Sequence, residues 1–172
     1  YDFRFTPDFA GGRTVIQDAF LVGRFRPWAQ LTVGKFKVPV GLERIQSAND
    51  IRFIERAFPT SLLPNRDLGV QIGGDVAGGL PNYNIGYFNG VTDGGSSEGN
   101  PTPDTESDTK GDIAGRVFLQ PFVNSDPFAL RGLGFGVSAS YVDSTGSVIN
   151  PLLPCYRTPG QQTAFSYRAT VA

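Results

Sequence analysis

Nine basic residues stand where their spacing brings them within reach of one another: Arg24, Arg26, Lys35, Lys37, Arg44, Arg52, Arg56, Arg66 and Arg116. A guanidinium presents a planar fork of donors that matches two oxygens of a phosphate or carboxylate, whereas an ammonium is a compact point charge. Arg24 and Arg26 flank Phe25, so on an extended strand they share one face. Arg44, Arg52, Arg56 and Arg66 fall in one stretch between two strand-like runs. Together they describe a surface that attracts anions. Other chemistries lack their parts. Without histidine, and with Cys155 as the only cysteine, the chain has no Ser-His-Asp or Cys-His triad, no Cys/His zinc site and no disulfide. No paired carboxylates stand out, so the reading is of a protein that is not an enzyme and carries no cofactor.

The 172 residues carry 15 Lys/Arg and 16 Asp/Glu, a net charge of −1 that offers no basic excess for nucleic acid. The 14 Phe and 6 Tyr at such low net charge exclude disorder throughout. Charge is uneven. Residues 1–66 hold ten Lys/Arg and six acids, 67–112 one Lys and eight acids, and 113–172 four Arg and two acids. Most of the acidic block is residues 90–111, which fails the calcium-loop pattern because Thr109 stands at the turn glycine and Gly115 at the bidentate Glu. It reads as a solvated external loop. Methionine is absent and no charged-then-apolar leader opens the chain. The expectation is a mature piece or internal fragment of something longer.

The elements that must position the cations are strands. No apolar run approaches the ~18 residues of a membrane helix. What recurs is a run of about ten residues with period-2 character bounded by Gly, Pro, Asn and Asp. Eight are predicted: 1–9, 14–26, 29–38, 67–76, 82–89, 112–122, 133–142 and 163 onward. In the seventh, Leu133, Phe135, Val137, Ala139 and Tyr141 alternate with small or polar residues. A soluble sandwich buries its apolar face and a membrane barrel turns it to lipid; periodicity alone does not separate them. The connections do. Pro27-Trp28 and residues 77–81 are short, whereas 39–66, 90–111 and 143–162 are long. Outer-membrane barrels pair short turns with long loops in this way, and compact soluble domains rarely carry three such loops.

Strand 29–38 sets Leu31 and Val33 on one face with Lys35 and Lys37, which a lipid-facing surface does not tolerate. Either the lysines sit at the outer rim or Gly34 marks a bulge that turns them inward, and the bulge is the favoured expectation. Within 39–66, residues 47–57 read as a short helix, capped by Ser47 and stopped by Pro59, with Arg52 and Arg56 one turn apart. The apolar Ile45, Ile51, Phe53, Ile54, Phe58, Leu62 and Leu63 suit a loop folded against an inner wall. Basic groups in a narrow water-filled passage select anions by electrostatic focusing.

Several stretches resemble the phosphate-selective porins O and P: Gly34-Lys-Phe-Lys-Val-Pro-Val-Gly-Leu-Glu43, Phe53-Ile-Glu-Arg56 with Pro59-Thr60, and Pro64-Asn-Arg-Asp-Leu-Gly-Val70. Tyr87-Phe-Asn-Gly-Val91 with Asp93-Gly94, Arg131-Gly-Leu-Gly-Phe-Gly136 and Tyr156-Arg-Thr-Pro-Gly160 follow in order, so the likeness runs from about Val15 to Tyr167. The resemblance implies an all-β transmembrane antiparallel β-barrel of sixteen strands, about eight of them in this single partial domain of 1–172. It implies a homotrimer in the lipid of the bacterial outer membrane, passing small anions such as phosphate along basic residues, with loop 39–66 folded into the lumen.

Two other readings compete. One is a pore-less small outer-membrane barrel, but eight strands close around a lumen filled by side chains, with no room for a 28-residue loop. The other is a soluble β-sandwich that binds carbohydrate or protein. It predicts charged outer strand faces, whereas charge here is sparse on the strands. Gly132-x-Gly134-x-Gly136 lies in a strand and lacks the helix of a dinucleotide site. Cys155, in a proline-bracketed loop, reads as an incidental thiol.

Overall fold

The computed structural model describes residues 1–9, 14–78, 80–90, 111–123, 130–143, 155–157 and 162–166. The acidic stretch 91–110 lies outside them. Seven strands run in chain order: β1 (Asp2–Asp8), β2 (Val15–Arg26), β3 (Ala29–Lys37), β4 (Arg66–Asp75), β5 (Pro81–Phe88), β6 (Asp112–Leu119) and β7 (Phe135–Tyr141). Each pairs antiparallel with the next in one open sheet of order β1 to β7. The chain is all-β, as its period-2 runs require. No helix among the described residues is long and apolar enough to cross a membrane.

Strand ends follow local chemistry. Pro39 lacks the N–H a ladder needs, and β3 stops two residues before it, one short of the expected Val38. Pro81 opens β5, the position a strand tolerates, and its carbonyl accepts from Val76 N–H at 2.9 Å. The expected run 112–122 ends at Leu119 because Pro121 begins a turn. One strand was not anticipated. β8 (Cys155–Arg157) lies within the supposed connection 143–162 and pairs with β9 (Thr163–Ser166) in a separate two-stranded sheet. Three residues carry too little alternation to announce a strand, so Cys155 is strand rather than loop.

The register settles which face is which. One continuous rung runs Phe3, Leu21, Val33, Val70, Tyr87, Ile113, Tyr141 across all seven strands. Each of these side chains is between 43% and 72% exposed. Three residues further along the strands, on the opposite face, runs the rung Arg24, Gln30, Gly73, Asn84, Arg116, Ser138. A sheet whose apolar side is bare and whose polar side is sheltered has the inverted polarity of a barrel wall in lipid.

What core exists lies on the polar side, at the end from which the long links leave. Phe36 packs edge-on against Phe20 and Phe88, with ring centroids 5.9 and 5.5 Å away. Val38, Val40 and Ala114 complete the buried cluster, with Leu63 against it. Val38, Val40 and Leu63 belong to the link 38–65, so this segment lies across the sheet. Its far contact is the Gly41 N–H, which donates to Ser138 Oγ on β7 at 3.2 Å.

Gly34 adopts φ +127°, and a Cβ there would stand 2.2 Å from the Ala19 carbonyl oxygen. The expected bulge is not formed: no residue is inserted beside Gly34, which pairs with Phe20 and Gly69, and the register runs unshifted through Lys35 and Lys37, because glycine takes the positive φ without an extra residue.

Candidate functional site

The link 38–65 is short turns rather than one helix. Residues Leu42–Ile45 form α1, and 3-10 turns cover Ala48–Asp50 and Phe58–Leu62. The helix expected over 47–57 is not formed. Ser47 does cap a turn, its Oγ accepting from Asn49 N–H at 3.3 Å. Beyond Asp50 the chain runs through bends rather than a helix, since Ile51, Phe53 and Ile54 are β-branched or aromatic residues of low helix propensity. Arg52 and Arg56 are therefore not neighbours on a helix face. Arg52 is exposed and Arg56 half-buried.

Four of the predicted cations converge. Lys37 lies within coulombic reach of Arg66, Arg56 and Arg44, with the Asp18 carboxylate as counter-charge. Each is held by a specific partner. Lys37 Nζ donates to the Gln46 carbonyl at 2.9 Å and the Ile45 carbonyl at 3.4 Å. Arg44 Nη2 donates to the carbonyls of Thr60 and Leu63. Arg56 donates from Nε to the Glu43 carbonyl at 3.0 Å and from Nη2 to the Gln46 carbonyl at 3.1 Å. Arg66 Nε meets Asp18 Oδ1 at 2.8 Å in a pair whose side chains are only 14% and 12% exposed. Glu43 is the acidic hub. Its Oε2 accepts from Ala57 N–H at 2.8 Å and from Thr60 Oγ1 at 3.4 Å. The cations gather where a turn-rich segment leaves carbonyls without ladder partners, and charged donors satisfy those carbonyls.

The other predicted residues lie apart. Lys35 is buried, opposite Ala19 and Leu68. Arg24 is on the polar rung and meets Asp2 at 2.7 Å in an exposed pair. A register shift between Arg24 and Arg26 inserts Phe25, so the two arginines are not simple alternates, and Arg26 sits beside the Pro27-Trp28 turn. Arg116, on the same polar rung, holds its guanidinium 5.1 Å from the Phe118 ring centroid. Three neutral polar residues on this face, Gln71, Asn82 and Asn84, are not among the predicted site residues, although alternation alone sets Asn82 and Asn84 opposite Tyr83 and Ile85. Their signal was available, since each interrupts an apolar alternation at Val70/Ile72 and Tyr83/Ile85. Among the described residues no cluster of three or more His, Cys, Asp or Glu is arranged to hold a metal.

An antiparallel meander, bare and apolar on one side, polar on the other and crossed there by a long basic segment, defines the wall of a porin-type barrel. The family model of phosphate-selective porin O and P matches residues 1–147. The chain belongs to that family: it is an outer-membrane porin sequence, from a family of channels rather than enzymes. The stretch Tyr156–Gly160, read as part of the resemblance, falls outside the matched span. Searches among curated proteins and among solved structures gave no match.

Proposed function

We propose that this chain forms part of the wall and the in-folded third loop of a passive diffusion pore in the bacterial outer membrane, with preference for small anions and for phosphate among them. The polar face is the lumen, the apolar face meets lipid, and three copies associate. The observation that carries the reading is the seat of link 38–65. Val38, Val40 and Leu63 of the link join the cluster of Phe88 and Ala114, and Gly41 reaches Ser138 on β7, so the link crosses the polar face with its basic residues, while Phe53 and Ile54, expected against the wall, stay exposed. A low-dielectric wall around such a cluster focuses positive potential into the passage, and several weak positions in series let an ion both enter and leave.

Within this reading the nine cations divide by task. Lys37, Arg44, Arg56 and Arg66 set the field while their donors hold the loop together. Arg52, exposed on the loop, and Arg24 and Arg116, on the polar rung, meet the ion. Arg26 and Lys35 contribute to the field alone.

The test is the zero-current potential of the full-length protein in a planar bilayer under a KCl gradient, followed by titration of phosphate against the chloride current. The expected result is an anion-selective potential with block at low phosphate. Arg52→Gln moves the potential toward zero. A cation-selective or unselective pore overturns the reading, and selectivity without block removes the phosphate preference alone.

A further inference from the structure

The polar face carries a second constellation at its short-turn end, away from the crossing link. A groove of about 210 Å³ there is lined by Arg24, Gln71, Asp75, Asn82 and Asn84 over Gly73. Its amides form a directed chain. Gln71 Nε2 donates to Asn84 Oδ1 at 2.9 Å, Asn84 Nδ2 to Asn82 Oδ1 at 3.1 Å, and Asn82 Nδ2 to Asp75 Oδ1 at 2.9 Å. A carboxylate only accepts. Asp75 therefore fixes which way Asn82 points, Asn82 fixes Asn84, and Asn84 fixes Gln71. Turning any one amide over would set oxygen against oxygen. At the head of the chain, Gln71 Oε1 is buried in the wall with no donor on it. The orphan atom is the acceptor, and every amide nitrogen of the chain is engaged. Each amide nitrogen carries two N–H groups, of which the chain uses one. Among the described residues the second N–H of each has no acceptor. Gly73 makes room for this arrangement, because a Cβ there would stand 2.2 Å from Asn84 Oδ1.

We propose that this groove is an anion station of neutral donors, in which N–H groups of Gln71, Asn82 and Asn84, aimed by Asp75, hold a permeating inorganic oxyanion by hydrogen bonds. The inference rests on the anion-pore reading and deepens it. Arg24 is already paired with Asp2, so the groove carries no positive excess and the amide donors supply the attraction. Neutral donors hold an anion less firmly than charged ones. A station of this kind suits the release side of a pore whose loop end concentrates anions by charge.

The experiment uses the full-length protein in a planar bilayer, with inorganic phosphate blocking the chloride current from the short-turn side. Gln71→Leu and Asn84→Leu alter no charge. Each is expected to weaken phosphate block about two- to tenfold, the equivalent of one net hydrogen bond. Asp75→Asn separates aiming from charge. Losing a negative charge from the passage strengthens anion block, whereas losing the fixed orientation weakens it. Weaker block is expected; stronger block overturns the proposal. An anion-selective wild type whose block neither leucine variant changes also overturns it, and leaves the pore reading standing. A wild type without anion preference overturns both. Heat-modifiable gel mobility confirms that each variant is folded.

Discussion

At the long-link end of the polar face, charged donors are engaged by backbone carbonyls and by one buried carboxylate. At the short-turn end, neutral amides are engaged by one another. The first arrangement is sheltered: Asp18 is 8% exposed and Asn65 4%. The second lies open, with Arg24 and Asp2 more than half exposed. Charge accumulates where the chain is irregular and needs donors, and neutral polarity suffices where strands pair without interruption. A basic residue in this sequence is thus as often a fastening as a ligand.

The sharpest way to break this contrast is at Asp18. Asp18→Ala leaves Arg66 buried beside Lys37 without its counter-charge, a loss expected to cost about 3–5 kcal/mol. Urea titration followed by the gel-mobility shift between folded and unfolded forms reads it directly. A variant as stable as wild type would show the pair to be dispensable. Next is Glu43→Ala, which frees Ala57 N–H and Thr60 Oγ1 together. Hydrogen bonds to a charged group carry roughly 1.5–3 kcal/mol each, and the loss falls on the link rather than the sheet. Limited proteolysis within 42–62 should therefore accelerate while the urea midpoint barely moves.

Arg56→Lys keeps the charge but loses the fork that reaches two carbonyls. Open-channel noise is expected to rise with the zero-current potential unchanged. A shift in potential without added noise would make Arg56 a ligand of the ion instead. The smallest effect belongs to the open end. Arg24→Gln removes an exposed pair, and the stability change should stay under about 1 kcal/mol.

Much of the wall was legible from sequence because a half-polar strand announces itself by alternation, as in Phe135 to Tyr141. Periodicity did not say which face meets what. That follows from register, when Leu21, Val33 and Val70 fall on one rung and remain bare. The basic residues could be found by type, but not their partners. Arg44 and Arg56 bond to carbonyls of other turns in the same link, and a carbonyl leaves no trace in residue identity. The helix expected over 47–57 failed because Ile51 and Ile54 satisfy a stripe pattern while disfavouring the helix that would use it. The amide chain is not legible as a chain, because Asn and Gln carry no formal charge and their mutual hydrogen bonds depend on register.

The bond between Gly41 and Ser138 joins positions 97 residues apart. Among the described residues, the hydrogen bonds that hold its turns are nearer in sequence: Lys37 to Gln46, Arg56 to Glu43, Arg44 to Thr60. The turns can therefore set early from local contacts, while the anchor waits for β7 to join the sheet, since distant contacts close late. Timing is built into the connectivity. Until the seventh strand joins, the link lacks its most distant hydrogen bond.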